Sequence, residues 1–452
     1  MKRIAVLNVV GLCQRELSGM PFLRQWAAER EVASFKPAFP AVTCTAQATY
    51  LTGKSVDEHG IVGNGWYDRE AAEVKFWKQS NHIVKGEKLW EKLRREQPQA
   101  TCAKWFWWYN MYSSADYSMT PRPMYPADGR KVFDVYSRPM GLREEVKKEL
   151  GDFPFPSFWG PMAGIASSQW IAQSAKWIEE REKPTLNLVY LPHLDYSLQK
   201  YGPGAPEVEP ELRAIDEVLA DLIPYLEARD IEVVVLSEYG ISKVNRAVHL
   251  NRLFREKGWI TIKDELGLEQ LDCGASQVFA VADHQGAHIY VNDRKLIEQV
   301  RTLVADVEGV AEVRDGWQGV GGERGGDLVA VSENDAWFSY YYWFDDAVAP
   351  DFARSIDIHR KPGYDPVELF IDPKIRFPKL KIAKFLAKKK LGIRGLLDVI
   401  PLDTSLVKGS HGSDQVPEEE RPVLIGKGAS CSDARGVYSY LGGRLEINEG
   451  QP

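Results

Sequence analysis

Phe39-Pro-Ala-Val-Thr-Cys-Thr-Ala-Gln-Ala-Thr-Tyr-Leu-Thr-Gly53, continued by Glu58-His-Gly-Ile-Val-Gly-Asn64, is the stretch on which the reading of this chain turns. Pro40 favours an extended approach, and the residues after it have helical composition as far as Tyr50, so Thr43 falls at the first turn of a helix. Unsatisfied amides and the positive end of the helix dipole gather at such a turn. A hydroxyl placed there can attack phosphorus beside a ready-made anion site. The same hydroxyl can equally serve only as an N-cap, a role Ser and Thr fill in proteins of every kind.

Strand and helix patterns alternate along the 452 residues. Strands are expected at Arg3 to Val10, Thr101 to Trp107, Thr185 to Leu191 and Ile231 to Ser237. Helices are expected near Pro21 to Glu29, Gly86 to Arg95, Ser167 to Arg181 and Pro210 to Ala228. This alternation predicts an α/β fold: a mostly parallel sheet covered on both faces, with working residues at the carboxyl ends of the strands. Thr43, Asp195 and Glu238 all fall in such places.

The FPxxT run and the HGI-x-x-N run resemble the nucleophile segment of the type I phosphodiesterase and nucleotide pyrophosphatase branch of the alkaline phosphatase superfamily. The resemblance implies an alkaline-phosphatase-like three-layer sandwich with an inserted smaller αβ cap. It divides the chain into 1–270 and 403–452 as core, the second carrying His411, and 271–402 as the insertion. It also implies that Thr43 is the nucleophile and Asn64 a phosphate-oxygen contact.

That family holds two divalent metals, and four expected ligands are altered here. Val10 stands where the family has an Asp before Gly-Leu. In Asp195-Tyr-Ser-Leu-Gln199-Lys200-Tyr-Gly-Pro203 the carboxylate is kept and the following imidazole becomes an amide. Glu238-Tyr239-Gly240 replaces Asp-His-Gly. His411, in Ser410-His-Gly-Ser413, is retained. One site then keeps Asp195 and His411 with Gln199 as an oxygen donor, and the other keeps Thr43 and Glu238. The resemblance so edited implies at most one divalent ion, zinc, manganese or magnesium, with the second absent.

With that ion missing, Thr43 needs another activator, and the candidates are Glu238 as base, Tyr239 as proton shuttle, or a histidine. His193 would face the same cleft if its segment stays extended. His359, beside Arg360 and Lys361, has the composition of a phosphate-facing loop. Either could also be structural. In Asp283-His284-Gln-Gly-Ala-His288 the two histidines have metal-ligand spacing only on a helix, and the flanking apolar runs read as strands, so a structural hairpin is expected.

Trp107, Trp108 and Tyr109 are candidates for a subsite that grips the organic part of a substrate, with core packing as the alternative. Phe377 to Leu391 interleaves lysines with apolar residues at helical spacing. Packing of Ile382, Phe385 and Leu386 on the main domain is favoured over a role at a membrane surface.

A net charge of −7 and the lack of any basic or RNA-binding signature argue against nucleic acid as a partner. Met1 runs directly into a strand pattern, so no signal peptide is expected. The five scattered cysteines form neither a disulfide framework nor a zinc knuckle, which points to a reducing, cytoplasmic setting. Cys44, at a helix start, is a candidate for a lowered pKa, with simple packing favoured. The sequence leaves oligomeric state open. Three functions are weighed, in order of preference: a hydrolase of phosphodiester or pyrophosphate bonds in a small phosphorylated metabolite, a pseudoenzyme that holds a phosphorylated or lipid-linked ligand or a pathway partner, and a metal-free transferase using Glu238, Tyr239 and Thr43.

Overall fold

The computed structural model describes residues 1–316 and 322–447. Its main sheet is built from β1 (Arg3–Val9), β2 (Glu31–Ser34), β3 (Cys102–Trp105), β4 (Tyr117–Pro121), β5 (Val135–Arg138), β6 (Leu186–Leu191) and β7 (Ile231–Leu236). A second sheet contains β8 (Val278–Asp283), β9 (Gly286–Val291), β10 (Val310–Asp315) and β11 (Leu328–Ser332), and the last main-sheet strand is β12 (Val423–Gly426). The main sheet runs β2-β12-β7-β1-β6-β3-β4-β5. Pairing is parallel from β7 through β4 and antiparallel at β2, β12 and β5. The inner strands are buried along nearly their whole length, as their continuous Val, Ile and Leu content requires of strands covered on both faces.

Helices form the two outer layers. α1 (Pro21–Ala27), α4 (Ile165–Glu182) and α6 (Glu209–Glu227) pack together, and α2 (Thr43–Thr52), α3 (Leu89–Glu96) and α9 (Gly436–Arg444) form another group. Further helices include α5 (His193–Tyr201), α7 (Ile297–Ala305) and α8 (Pro378–Lys390). Each core strand and helix expected from the sequence forms, with no end displaced by more than three residues, close to the usual reach of fraying at element ends. Among the described residues no helix is long and apolar enough to cross a membrane.

Two apolar cores result. The first joins the main sheet to its helices. The second gathers Tyr67, Phe76 and side chains from Val244 to Val407 around the antiparallel β8-β9-β11-β10 sheet, so the 271–402 region lies within a wider packed unit. Trp337, Phe338 and Tyr340 to Trp343 are buried in it, so these aromatic side chains form part of the core.

The charged loop around His359 differs from expectation. Arg360 pairs with Asp351, while Lys361 is buried and its Nζ contacts Asp365 at 3.1 Å and Glu368 at 2.8 Å. Trp159 Nε1 donates to Glu368 Oε2 at 2.6 Å, completing the set. Both cations thus have acidic partners, Lys361 within the core and Arg360 at the edge of a cavity that it lines with His359. Removing Lys361 would strand two buried carboxyl groups, so Lys361→Met is expected to cost about 3–5 kcal/mol in urea denaturation. A loss below about 0.5 kcal/mol, the level of ordinary surface changes, would rule out the buried triad.

Candidate active site

β7, β1 and β6 lie side by side and in parallel, so the segments that leave their carboxyl ends open at one level. α2 starts nearby: Val42 is its extended N-cap and Thr43 its first residue. The helix ends at Gly53, whose φ of 66° is left-handed and whose missing Cβ leaves room for the Tyr438 ring.

Thr43 Oγ1 lies 3.1 Å from the Tyr239 hydroxyl, which donates to Asp195 Oδ1 at 3.2 Å. The Tyr239 ring stacks on His411 with centroids 3.5 Å apart and planes 6° from parallel. His411 Nδ1 is 2.7 Å from the Ala41 carbonyl oxygen. A carbonyl only accepts, so Nδ1 carries the proton and Nε2 presents a lone pair. That Nε2 has no hydrogen-bond partner among the described residues and lies 3.7 Å from Asp195 Oδ1. A lone pair turned toward a carboxyl oxygen favours positive charge between them. Burial holds His411 down to about 3 and pushes Asp195 up to about 7, with hydrogen bonds from Gln199 and Tyr239 opposing the latter shift. Gln199 is buried beside Asp195, and its Oε1 accepts from Tyr364 at 3.3 Å.

Glu238 is held differently. Its Oε1 accepts from Gln47 Nε2 and from Asn8 Nδ2, each at 2.6 Å. Burial pushes Glu238 up to about 8 against the pull of those two amides and of Thr43. Gln47 lies one helical turn beyond Thr43, and its Oε1 accepts from Trp108 N at 2.7 Å, tying α2 to the chain after β3.

Asn64 is fully engaged as well. Its Oδ1 accepts from Cys44 N at 3.1 Å, while its own N and Nδ2 donate to Asp283 at 2.7 and 3.0 Å. Cys44 is fully buried, and desolvation raises its thiol well above the usual range, the opposite of an activated thiolate.

The structure therefore brings Thr43, Asp195, Gln199, Glu238, Tyr239 and His411 together, with Asn64 against the first turn of α2. It separates the remaining candidates. His193 opens helix α5, where two residues differ by about 200° around the axis, so it points away from Asp195 and contacts Glu211 Oε2 at 2.8 Å. His359 lines a separate cavity with Lys75, Lys78 and Tyr342. Trp107 is fully buried in the first core, and Trp108 and Tyr109 pack beneath α2 with Cys44 and Trp66, so none of the three forms an open subsite.

Residues the sequence reading missed complete the surroundings. His284 lies in the β8-β9 turn at φ 62°, and its ring sits 3.6 Å from His411 and 3.8 Å from Tyr364. His288 remains structural, bonded to the Val62 carbonyl oxygen and the Gly326 amide. The hairpin signal was readable, but the 2.8 Å bond from Gln285 N to the His411 carbonyl that brings the turn to the site is non-local. Asn8 and Gln47 carried a weak signal, as polar side chains inside a buried strand and a buried helix.

The donor set fits two cations poorly. Val10 offers no ligand, Tyr239 keeps its proton and Glu238 Oε1 is taken by two amides, so the second family position is left with Glu238 Oε2, buried without a partner, and the Thr43 hydroxyl, too few donors for a metal. Among the described residues no group of three or more His, Cys, Asp or Glu converges. Asp195 and His411 with Gln199 remain compatible with one ion, given the unpartnered Nε2.

Solved structures with this fold include murine ectonucleotide pyrophosphatase/phosphodiesterase 5, as an inactive threonine-to-alanine variant in complex with AMP. It has a TM-score of 0.59 at 14% identity over 100% of this chain and 96% of that one. The human protein of the same name gives 0.57 at 13%, with the same coverage. A Schizosaccharomyces pombe protein described as an uncharacterized pyrophosphatase/phosphodiesterase is 26% identical over 230 residues, which is 48% of this chain and 40% of that protein. The match thus spans less than half the length of the yeast relative. The sequence profile of the type I phosphodiesterase/nucleotide pyrophosphatase family matches residues 4–365, and the chain belongs to that family.

Proposed function

We propose that this chain is a phosphodiesterase or pyrophosphatase that cleaves a small phosphorylated organic metabolite, with Thr43 as nucleophile. The hydrogen-bonded series Thr43–Tyr239–Asp195 carries the reading. Family membership supports the reaction class. The murine relative's AMP complex favours a nucleotide-like substrate, and its inactive threonine variant favours a threonine in the central role.

In this reading Thr43 Oγ1 attacks phosphorus and the bond to the leaving oxygen breaks, giving a phosphothreonine that water then hydrolyses. The Thr43 proton passes to the Tyr239 oxygen as the Tyr239 proton passes to Asp195, a relay that needs no large movement at the distances present. The positive end of α2 and its first amides face the growing charge on the phosphoryl oxygens. Asp195, His411 and Gln199 would hold one divalent ion, zinc, manganese or magnesium, which supplies further positive charge to a phosphoryl oxygen. Asn8 and Gln47 keep Glu238 fixed under the nucleophile.

Turnover of p-nitrophenyl thymidine monophosphate tests the reaction class directly. Thr43→Ala is expected to lower it at least about 10³-fold while AMP binding by calorimetry survives. Undiminished turnover would remove Thr43 as nucleophile, and AMP binding by a wild-type chain that turns over no diester would overturn the hydrolase reading.

The relay makes a separate prediction. Tyr239→Phe keeps the ring stacked on His411 but removes the hydroxyl between Thr43 and Asp195, so kcat should fall about 10²-fold with KM little changed. An unchanged kcat would exclude the relay.

A further inference from the structure

α8 has two apolar sides, and only one is covered. Ile382 packs on the second core, and Phe385 is half-buried against Gly395. Leu386, expected to join them, is 55% exposed, because at one residue past Phe385 it has turned about 100° out of the packed side. Leu380, Ala383, Ala387 and Leu391 follow at spacings of three and four, which sets them in one stripe on the solvent side. Leu380 and Leu391 are 68% and 76% exposed. Lys379 and Lys390 border this stripe on one side, Lys384 and Lys388 on the other.

The charge around the stripe is of one sign. Residues 374–396 carry nine Lys or Arg and no Asp or Glu, in a chain whose net charge is −7. Among the described residues, Lys381 is the helix lysine that forms an ion pair, with Asp398 at 2.9 Å. The surface also continues beyond the helix. Ile393 and Leu396 are exposed after it, Lys389 Nζ reaches the Lys131 carbonyl, and Arg394 lies against Gly129. The adjoining 124–133 loop exposes Met124, Tyr125 and Phe133.

We propose that this face docks on an anionic lipid bilayer, with α8 in the plane of the headgroups. Apolar side chains in one outward stripe, bordered on both sides by unpaired lysines, match an interface that is oily at one depth and negative above it. The lysine stems can lie along the apolar layer while their ammonium groups stay among lipid phosphates. An acidic protein partner would account for the cations but not for the exposed leucines set between them. The proposal rests on surface chemistry alone and stands apart from the reaction at Thr43.

Co-sedimentation of the full chain with vesicles tests it. The protein should pellet with vesicles containing phosphatidylserine, remain in solution with phosphatidylcholine vesicles, and be released by high salt. The combined Lys384→Glu, Lys388→Glu and Lys390→Glu variant should bind at least about 10-fold more weakly, and so should Leu380→Ser with Leu391→Ser. Both should keep wild-type circular dichroism and diesterase rates, since these side chains lie on the outer face. Failure to pellet with phosphatidylserine vesicles at low salt would overturn the proposal. So would wild-type vesicle binding by either folded variant, or retention by polyglutamate in place of vesicles.

Discussion

β1 sits between two parallel neighbours, with Val9 opposite Leu191 of β6 and Asn8 opposite Leu236 of β7, and this register governs the site. Because the three strands end together, the segments carrying Val10, Asp195 and Glu238 leave the sheet at one level. A slip of one residue in either pairing would turn Asn8 to the other face and remove the donor that fixes Glu238. The sheet's backbone ladder thus places catalytic-type side chains that no local sequence rule brings together.

The electrostatic outcome follows from that placement. Asp195, Glu238 and Asp283 are all buried, and desolvation raises each one. Their partners are amides and a phenol, which satisfy hydrogen bonds without supplying net positive charge. In the proposed reaction a phosphate ester would find positive potential at the start of α2 and at a cation, were one held by the Asp195–His411 pair. The histidines do not help as cations, because burial keeps both His284 and His411 neutral.

Much of the architecture was readable because it depends on local pattern. Apolar runs marked the parallel strands, and the Pro40–Thr43 segment marked the start of α2. Asp195 and Glu238 followed from their places after strands. Where the reading failed, a long-range contact decided the matter. His193 seemed directed at the cleft only on the assumption of an extended segment; the chain instead starts a helix at that residue, which reverses its direction. Lys361 suggested a phosphate loop until Asp365 and Glu368 were found enclosing it. In α8 the periodicity permits two packed sides, and only the docking of Ile382 on the second core decides between them.

The altered metal ligands form one coherent change. A cation at Glu238 Oε1 would have to displace two N–H donors at 2.6 Å, leaving the Asn8 and Gln47 amides buried without acceptors, so Oε2 is the one carboxyl oxygen left open. Val10 could not share its coordination, and Tyr239 offers a phenol whose proton burial holds firmly in place. Each of these features alone would merely weaken a metal site. Together they satisfy one oxygen of the carboxyl without a cation, place the apolar Val10 at the end of β1, and set a hydroxyl beside Thr43. Asn8 and Gln47 hold Glu238 Oε1, while Glu238 Oε2 and Asn8 Oδ1 are buried without partners on that side and the imidazole Nε2 on the His411 side, where Asp195 still stands.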